Sequence, residues 1–251
     1  ESGPKEEWIS TDAFYKLFNS LVFTVETDLF IPAGGRPETI DSGNAERFLT
    51  TEGKPSSSVI IEGANSFITP PARTVLQQNG AVIMRDASAN KCGVISSSYE
   101  IIANLMFSDE EFLACKEEYV ADVVDILNHM AEQEARAILK RHRELKGTIS
   151  YTDLSNKISR EINQHYARMF EFFQANPDRC ARPDHRKALL THMPALIQNN
   201  LDLHDRIDRL PEKVKYAILA SKLASAMVYA GNDDSLYEDL IDAQLKRISV
   251  N

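Results

Sequence analysis

Three short loops combine glycine with polar side chains, and each follows an apolar run that is typical of a β-strand. They span residues 33–36, 63–66 and 88–93. Ligands bind beyond the carboxyl ends of the strands in a parallel, doubly wound sheet, so loops of this kind at one sheet edge indicate a binding site. An ordinary turn is the simpler interpretation of each loop taken singly, and only the three together favour a site.

The histidines and cysteines lack the spacing of metal or redox sites. The sequence has no CxxC and no HExxH, and the six histidines show no ligand pattern, so we predict no metal site. His185 and His192 could share a helix face, but packing or surface roles are favoured. Three widely spaced cysteines (Cys92, Cys115 and Cys180) predict no disulfide framework and a reducing, cytoplasmic location.

The composition excludes several classes of protein. The 251 residues are 43% hydrophobic and 26% charged, close to the average of globular domains, and this argues against a disordered chain. Ser221, Lys222 and Ser225 interrupt the most apolar stretch, so we expect no membrane span. A net charge of −9 without a basic block argues against nucleic-acid and anionic-membrane partners.

Two composition regimes meet near residue 107. Eight of the ten glycines precede this point, and all six histidines follow it. We therefore predict an α/β region at residues 1–107, with a partial Rossmann-like parallel sheet, and an all-α region at residues 108–251.

The expected elements of the first region alternate in type. The predicted buried strands are Asp28–Pro32, Ser57–Glu62 and Gly80–Arg85, and the predicted helices are 11–19, 70–79 and 94–107. Thr69 is the expected N-cap of the second helix, and residues 86–93 are expected to form a glycine-bearing loop.

The second region reads as a series of helices. Apolar residues recur at three- and four-residue steps from Asp109 to Leu145, with acidic residues first, basic residues last and Gly147 as the stop. Further helices are predicted at 152–175, 184–199, 211–230 and 234–248, with Asp184 and Ser235 as caps and a kink at Pro194.

The loop sequences carry a resemblance to a known family. The runs DLFIPAGGRPETI (28–40), EGAN (62–65) and SANKCGVISSSYE (88–100) occur in this order at these distances. Together they resemble the later half of the coenzyme domain of glutamate dehydrogenases, and among these the large NAD-dependent type. The resemblance covers residues 28–107, and the helical remainder looks like the C-terminal region of the large type.

The resemblance implies roles for the coenzyme NAD and for glutamate. Ala33 and Gly34 would lie beside the nicotinamide ribose, where the backbone can approach closely. Gly63, Asn65 and Asn90 would complete the cofactor-binding set, with Asn65 contacting the ribose hydroxyls or the carboxamide and Asn90 contacting the nicotinamide amide.

The implied substrate residues lie in the third run. Ser97 would donate a hydrogen bond to the side-chain carboxylate of glutamate, and Gly93 would leave room for the substrate. The residue-based alternative is that the serines 96–98 only supply polarity at a helix start.

Three departures separate the sequence from ordinary hexameric glutamate dehydrogenases. Cys92 replaces a glycine, residues 67–69 replace a proline-containing segment, and residues 34–37 differ from the usual loop. These differences favour the large type. As a loop residue, Cys92 could face a ligand, whereas Cys115 is expected to be a small buried residue.

The sequence contains no GxGxxG motif, and the family's catalytic lysine and aspartate lie upstream of the matching region. We therefore expect the chain, which begins at Glu1 without Met, to be a cut or processed C-terminal piece of a longer enzyme. That enzyme would convert L-glutamate, NAD and water to 2-oxoglutarate, ammonium and NADH. We expect no turnover from the piece alone, because no catalytic residue lies within it.

The implied partners are glutamate or 2-oxoglutarate, the remainder of the enzyme chain and further copies in a homo-oligomer. A half-sheet would expose a strand edge, and we expect another segment, another chain or a rearranged N-terminus to cover it. The alternative function is a non-catalytic helical module for assembly or regulation that carries a degenerate nucleotide-binding fold.

Overall fold

The computed structural model describes residues 8–231 and Ile241. The chain divides into two compact units, one ending at Asn90 and the other starting at Lys91. This boundary lies one helix before the composition change near residue 107, because the intervening helix packs into the core of the second unit. The predicted helix at 234–248 and its cap Ser235 lie outside the described residues, Ile241 excepted.

The described residues of the first unit form three parallel strands and three α-helices. The strands pair in the order β1-β2-β3. In the register, Leu29 lies opposite Val59, and Val59 lies opposite Val82. The elements are α1 Thr11–Ser20, β1 Thr27–Phe30, β2 Ser57–Ile61, α2 Pro70–Gln78, β3 Val82–Met84 and α3 Asp86–Ala89. The predicted partial parallel sheet is thereby confirmed.

The core of this unit lies around β2, β3 and α2. Ile60, Ile83 and Leu76 are completely buried, together with Phe48 from a 3₁₀ turn. Thr69 is the N-cap of α2 as predicted, although its hydroxyl makes no capping hydrogen bond. Ile60 and Ile83 on the strands and Leu76 on α2 are all buried, which indicates that α2 covers this face of the sheet.

The prediction that the first strand is buried is wrong. Residues 27–29 are exposed, and Leu29 retains 45% of its accessible surface. β1 is an edge of the sheet, and no other described segment pairs with its free side. Residues 8–26 therefore do not provide the expected cover, and coverage by another segment or chain stays a prediction.

The second unit is helical over the residues that the structure describes. They are α4 Lys91–Met106, α5 Asp109–Glu144, α6 Tyr151–Ala175, α7 Pro183–Leu190, α8 Ala195–Gln198, α9 Leu201–Asp208 and α10 Glu212–Ala230. Their apolar faces form one core with residues such as Tyr99, Phe173 and Leu223. None of the described helices is both long and apolar enough to cross a membrane.

The 36-residue helix α5 confirms the prediction from periodicity and charge. Ser108 and Glu111 form a capping box, in which each side chain accepts from the backbone N–H of the other. Gly147 follows the helix with a φ of +73°, as expected for a stop. At 1.5 Å per residue, α5 is about 54 Å long.

The predicted helix 184–199 is two helices, α7 and α8, because Pro194 precedes the second and cannot continue the first. Arg182, rather than Asp184, is the N-cap of α7, since Pro183 takes the first helical position. Helix α9 was not predicted. Its cap is Asn200, whose side chain accepts from the Asp202 N–H.

The prediction of a loop at 86–93 is also wrong, because this segment is helical on both sides of Asn90. The Asp86 carboxylate accepts from the Ala87 N–H and starts α3, and the Asn90 N–H closes the turn on the Asp86 carbonyl at 2.8 Å. α4 then begins directly at Lys91. Gly93 therefore lies in a helix turn rather than in a loop.

Candidate functional site

The loops that follow the strands of the first unit meet at the carboxyl edge of the sheet. The Ala64 N–H donates to the Pro32 carbonyl at 2.6 Å. A Cβ atom on Gly63 would lie 3.3 Å from that carbonyl oxygen and 3.6 Å from the Ala33 Cα. Glycine at position 63 therefore lets the two loops approach each other without a tight contact between a side chain and the Pro32 carbonyl.

Asn65 and Asn90, 25 residues apart, form an amide pair at this edge. Asn90 Nδ2 donates to Asn65 Oδ1 at 2.7 Å. Asn65 is exposed and Asn90 is half-buried. Within the described part of the chain, Asn65 Nδ2 and Asn90 Oδ1 have no hydrogen-bond partner, so the pair retains a donor amino group and an acceptor oxygen for a ligand.

Asp86 holds the two segments that carry this pair, the loop after β2 and the short helix α3. The Ser66 N–H donates to Asp86 Oδ2 at 2.9 Å, and Ser66 has a φ of +54°. The same Asp86 supplies the backbone carbonyl that accepts from the Asn90 N–H. One residue thus fixes the segment after Asn65 and the turn that ends at Asn90.

Behind the loops lies a buried ion pair between Glu62 and Arg73. The Glu62 side chain is completely buried and that of Arg73 is 5% exposed, with Nε–Oε2 and Nη2–Oε1 distances of 2.6 and 3.1 Å. Glu62 Oε1 also accepts from the Ile68 N–H. Sequence reasoning missed this pair; Glu62 opens the EGAN run, but nothing in the spacing indicated Arg73 as its partner.

The pKa values of Glu62 and Asp86 are shifted in opposite directions. Burial raises the pKa of Glu62, and the hydrogen bond and charge of Arg73 only partly offset it. Burial also acts to raise the pKa of Asp86, but hydrogen bonds from Ser66 and Arg85 outweigh it and hold the pKa below its usual value. Asp86 therefore remains a charged anchor at neutral pH.

Gly34 and Gly35 differ in their steric surroundings. A Cβ on Gly35, whose φ is +108°, would approach the Phe67 ring at 3.1 Å. A Cβ on Gly34 would meet no atom within 4 Å, and Ala33 and Gly34 are exposed. The fold therefore requires Gly35, while the space beside Gly34 is open to a ligand. Phe67 and Ile68, which depart from the ordinary enzymes, are buried in the core of this unit.

Gly93 and Ser97 lie in the second unit, on the exposed face of the first turns of α4. The Ser96 hydroxyl donates to the Gly93 carbonyl, as a serine at a helix start commonly does. No hydrogen bond joins the Ser97 hydroxyl to the described part of the chain. The location of Ser97 relative to the amide pair stays a prediction.

Cys92 does not behave as a ligand-facing thiol. Its Sγ donates to the Leu127 carbonyl of α5 at 3.5 Å, and burial raises the pKa of the thiol. Cys115 is half-buried on α5. In the second unit, His185 is buried and its ring packs on Phe173, while His192 is half-buried and its ring stacks on Tyr99.

Comparison with known proteins agrees with the resemblance in the loop sequences. The family profile described as glutamate/leucine/phenylalanine/valine dehydrogenase matches residues 5–148. A protein of Schizosaccharomyces pombe named probable NAD-specific glutamate dehydrogenase is 34% identical over 244 residues, covering 92% of this chain and 22% of the relative.

Two further relatives extend the comparison. The NAD-specific glutamate dehydrogenase of Saccharomyces cerevisiae is 30% identical over 88% of this chain and 21% of the relative. The glutamate dehydrogenase of Thermotoga maritima is 30% identical over 36% of this chain. The chain thus spans about a fifth of the length of the first relatives it matches, and no solved structure matches it.

The family profile covers more than half of the chain, including all three loop sequences and the amide pair. The chain belongs to the glutamate/leucine/phenylalanine/valine dehydrogenase family.

Proposed function

We propose that this chain is the C-terminal part of an NAD-dependent glutamate dehydrogenase. The complete enzyme oxidises L-glutamate with NAD and water to 2-oxoglutarate, ammonium and NADH. The observation that carries the proposal is the Asn65–Asn90 amide pair at the carboxyl edge of a parallel sheet, in a chain whose relatives are named NAD-specific glutamate dehydrogenases.

The first unit binds the coenzyme. The donor and acceptor left on Asn65 and Asn90 match the carboxamide or ribose hydroxyls of a nicotinamide nucleotide. The open space beside Ala33 and Gly34 accommodates a ring close to the backbone, and Gly63 keeps the loops together. The bound NAD supplies the hydride acceptor, and these residues orient it.

The second unit supplies the glutamate contact. The Ser97 hydroxyl, which makes no hydrogen bond within the described residues, donates to the side-chain carboxylate of glutamate. Gly93 lies one helix turn earlier on the same exposed face and places no side chain in the way. A carboxylate removed from water requires such donors, so Ser97 determines specificity for an acidic substrate.

The catalytic groups come from elsewhere in the enzyme. A lysine that activates water and an aspartate that transfers protons belong to the remainder of the chain, and further copies complete a homo-oligomer. The 251 residues by themselves therefore show no glutamate-dependent reduction of NAD, and measurable turnover would contradict this assignment.

The experiment is steady-state kinetics of the full-length enzyme with Asn65→Ala and Ser97→Ala. Losing a hydrogen bond to a charged group costs about 1.5–3 kcal/mol, so Ser97→Ala raises the KM for glutamate roughly 10- to 100-fold. Asn65→Ala raises the KM for NAD. The matched controls are Ser98→Ala and Gln78→Ala, which change exposed helix positions.

Near-wild-type KM values in both test variants remove the site assignment. Loss of oligomer assembly with unchanged KM values would instead support the non-catalytic helical module. The two functions therefore give different results in one set of proteins.

A further inference from the structure

Lys91, Glu134 and Tyr229 form a closed polar cluster inside the second unit. Lys91 Nζ lies 2.9 Å from Glu134 Oε2 and 3.1 Å from the Tyr229 hydroxyl oxygen. The Tyr229 hydroxyl donates to the same Glu134 oxygen. The three residues belong to α4, α5 and α10, so the cluster joins three helices at one point.

Because Glu134 is buried, the loss of any polar contact in the cluster would destabilise the fold. Its side chain is 2% exposed, whereas that of Lys91 is 26% exposed. A carboxylate removed from water is strongly destabilising without a positive partner. Burial, followed by the charge and hydrogen bond of Glu134, raises the pKa of Tyr229 far above its usual value, so the hydroxyl stays protonated and donates.

Lys91 also occupies an unusual position, because it is the first residue of α4. A cation at a helix N-terminus is disfavoured by the partial positive charge of the first amide groups. The electrostatic field of α4 by itself therefore disfavours a lysine at this position. The carboxylate of α5 compensates for that repulsion and fixes the direction in which α4 starts.

Two further contacts hold the same region to α5. The Cys92 thiol donates to the Leu127 carbonyl at 3.5 Å, two helix turns before Glu134. Arg141, two turns after Glu134, donates to the Val228 carbonyl at 3.0 Å and pairs with Glu161 at 2.6 Å. One face of α5 thus holds both the start of α4 and the end of α10 that carries Tyr229.

We infer that Glu134 is a positioning residue, which acts through Lys91 to fix the first turns of α4 and hence Gly93 and Ser97. The helical region thereby sets the affinity of the enzyme for its dicarboxylate substrate. The inference rests on the proposed role of Ser97 and gives helices α5 and α10 a function in substrate binding.

The first measurement is the kinetics of the full-length enzyme with Glu134→Gln and Lys91→Met. Both variants raise the KM for glutamate about five- to tenfold, while the KM for NAD changes less than about twofold. Lys91→Arg keeps the cation and retains a glutamate KM near that of the wild type. The control is Glu132→Gln, which breaks the exposed Glu132–Arg136 pair on the same helix and leaves both constants unchanged.

The second measurement is amide hydrogen exchange in the same full-length proteins. The amides of residues 95–98 are the first that bond within α4, so Glu134→Gln accelerates their exchange and Glu132→Gln does not. Unchanged exchange together with an unchanged glutamate KM overturns the inference. An equal rise in the KM values for glutamate and NAD also overturns it, because that result indicates general loosening.

The two assignments fail in different ways. If Ser97→Ala leaves the glutamate KM unchanged while Glu134→Gln accelerates exchange at 95–98, the substrate role of Ser97 fails and the anchoring of α4 stands. If Ser97→Ala raises that KM and Glu134→Gln changes neither measurement, the substrate role stands and the positioning role is wrong.

Discussion

Asn90 Nδ2 donates a hydrogen bond to Asn65 Oδ1 at 2.7 Å, although the two residues follow different strands. Asp86 reinforces this arrangement, since its side chain accepts from Ser66 and its carbonyl from Asn90. The amide pair is therefore held in place by the loops before any ligand arrives. A preformed pair of this kind reduces the ordering that coenzyme binding requires.

Asn90→Ala should weaken NAD binding without destabilising the fold. The substitution removes one hydrogen bond at an exposed edge, so the free energy of unfolding changes by less than about 1 kcal/mol. The affinity for NADH, measured by fluorescence titration of the full-length enzyme, should fall about tenfold. An unchanged affinity would show that the pair does not contact the coenzyme.

Arg73→Met should destabilise the first unit strongly, because it leaves the Glu62 carboxylate buried without a positive partner. Breaking a buried pair from one side costs about 3–5 kcal/mol. Urea denaturation measures the effect, and Lys54→Met is the control, since the Lys54–Glu52 pair is exposed and contributes less than about 1 kcal/mol. A cost for Arg73→Met as small as that of the control would contradict the prediction.

Gly34→Ala and Gly63→Ala should separate binding from folding. The Cβ at position 34 meets nothing within 4 Å, so the stability should change by less than about 0.5 kcal/mol while NAD affinity falls. The Cβ at position 63 lies 3.3 Å from a backbone oxygen, so Gly63→Ala should lower both. Calorimetric unfolding and NAD titration distinguish the two, and full NAD affinity in Gly34→Ala would exclude that glycine from the site.

The stability of the helical unit should decrease as the pH falls below about 6.5. Burial, with a smaller contribution from the nearby charge of Lys222, lowers the pKa of His192 to about 3. Between these two values the unfolded chain binds a proton that the folded chain does not, so acidification favours unfolding by up to about 1.4 kcal/mol per pH unit. Denaturation of His192→Phe, which keeps an aromatic ring beside Tyr99, should show a shallower pH dependence between 6.5 and 5. Equal slopes in the two proteins would be evidence against this assignment.

The elements that the sequence predicted well have strong local signals. The charge order, the apolar periodicity and Gly147 defined α5 closely, and compact apolar runs located β2 and β3. The meeting of the segments that follow β1, β2 and β3 also followed from the geometry of a parallel sheet, although the third segment is helical rather than a loop. These features depend on residues near one another in the chain or on a general rule of topology.

The features that were missed depend on contacts between distant residues. The Glu62–Arg73 pair and the Lys91–Glu134–Tyr229 cluster join separate elements, and no spacing in the sequence indicates them. Gly93 suggested a loop, but contacts of α4 with the other helices of the second unit outweigh the low helix propensity of one glycine. The exposure of β1 could not be predicted either. Its apolar residues are typical of a buried strand, but no described segment of the chain covers them.

One side of β1 has no strand partner among residues 8–231, and this has a practical consequence for handling the chain in isolation. The backbone amides and carbonyls of Thr27–Phe30 that do not bond to β2 lie beside the exposed side chains of Leu29 and Ile31. They offer a template on which a second molecule can add its own strand. Purified alone, the protein should self-associate as its concentration rises, and a lysine in place of Leu29 should keep it monomeric in sedimentation experiments.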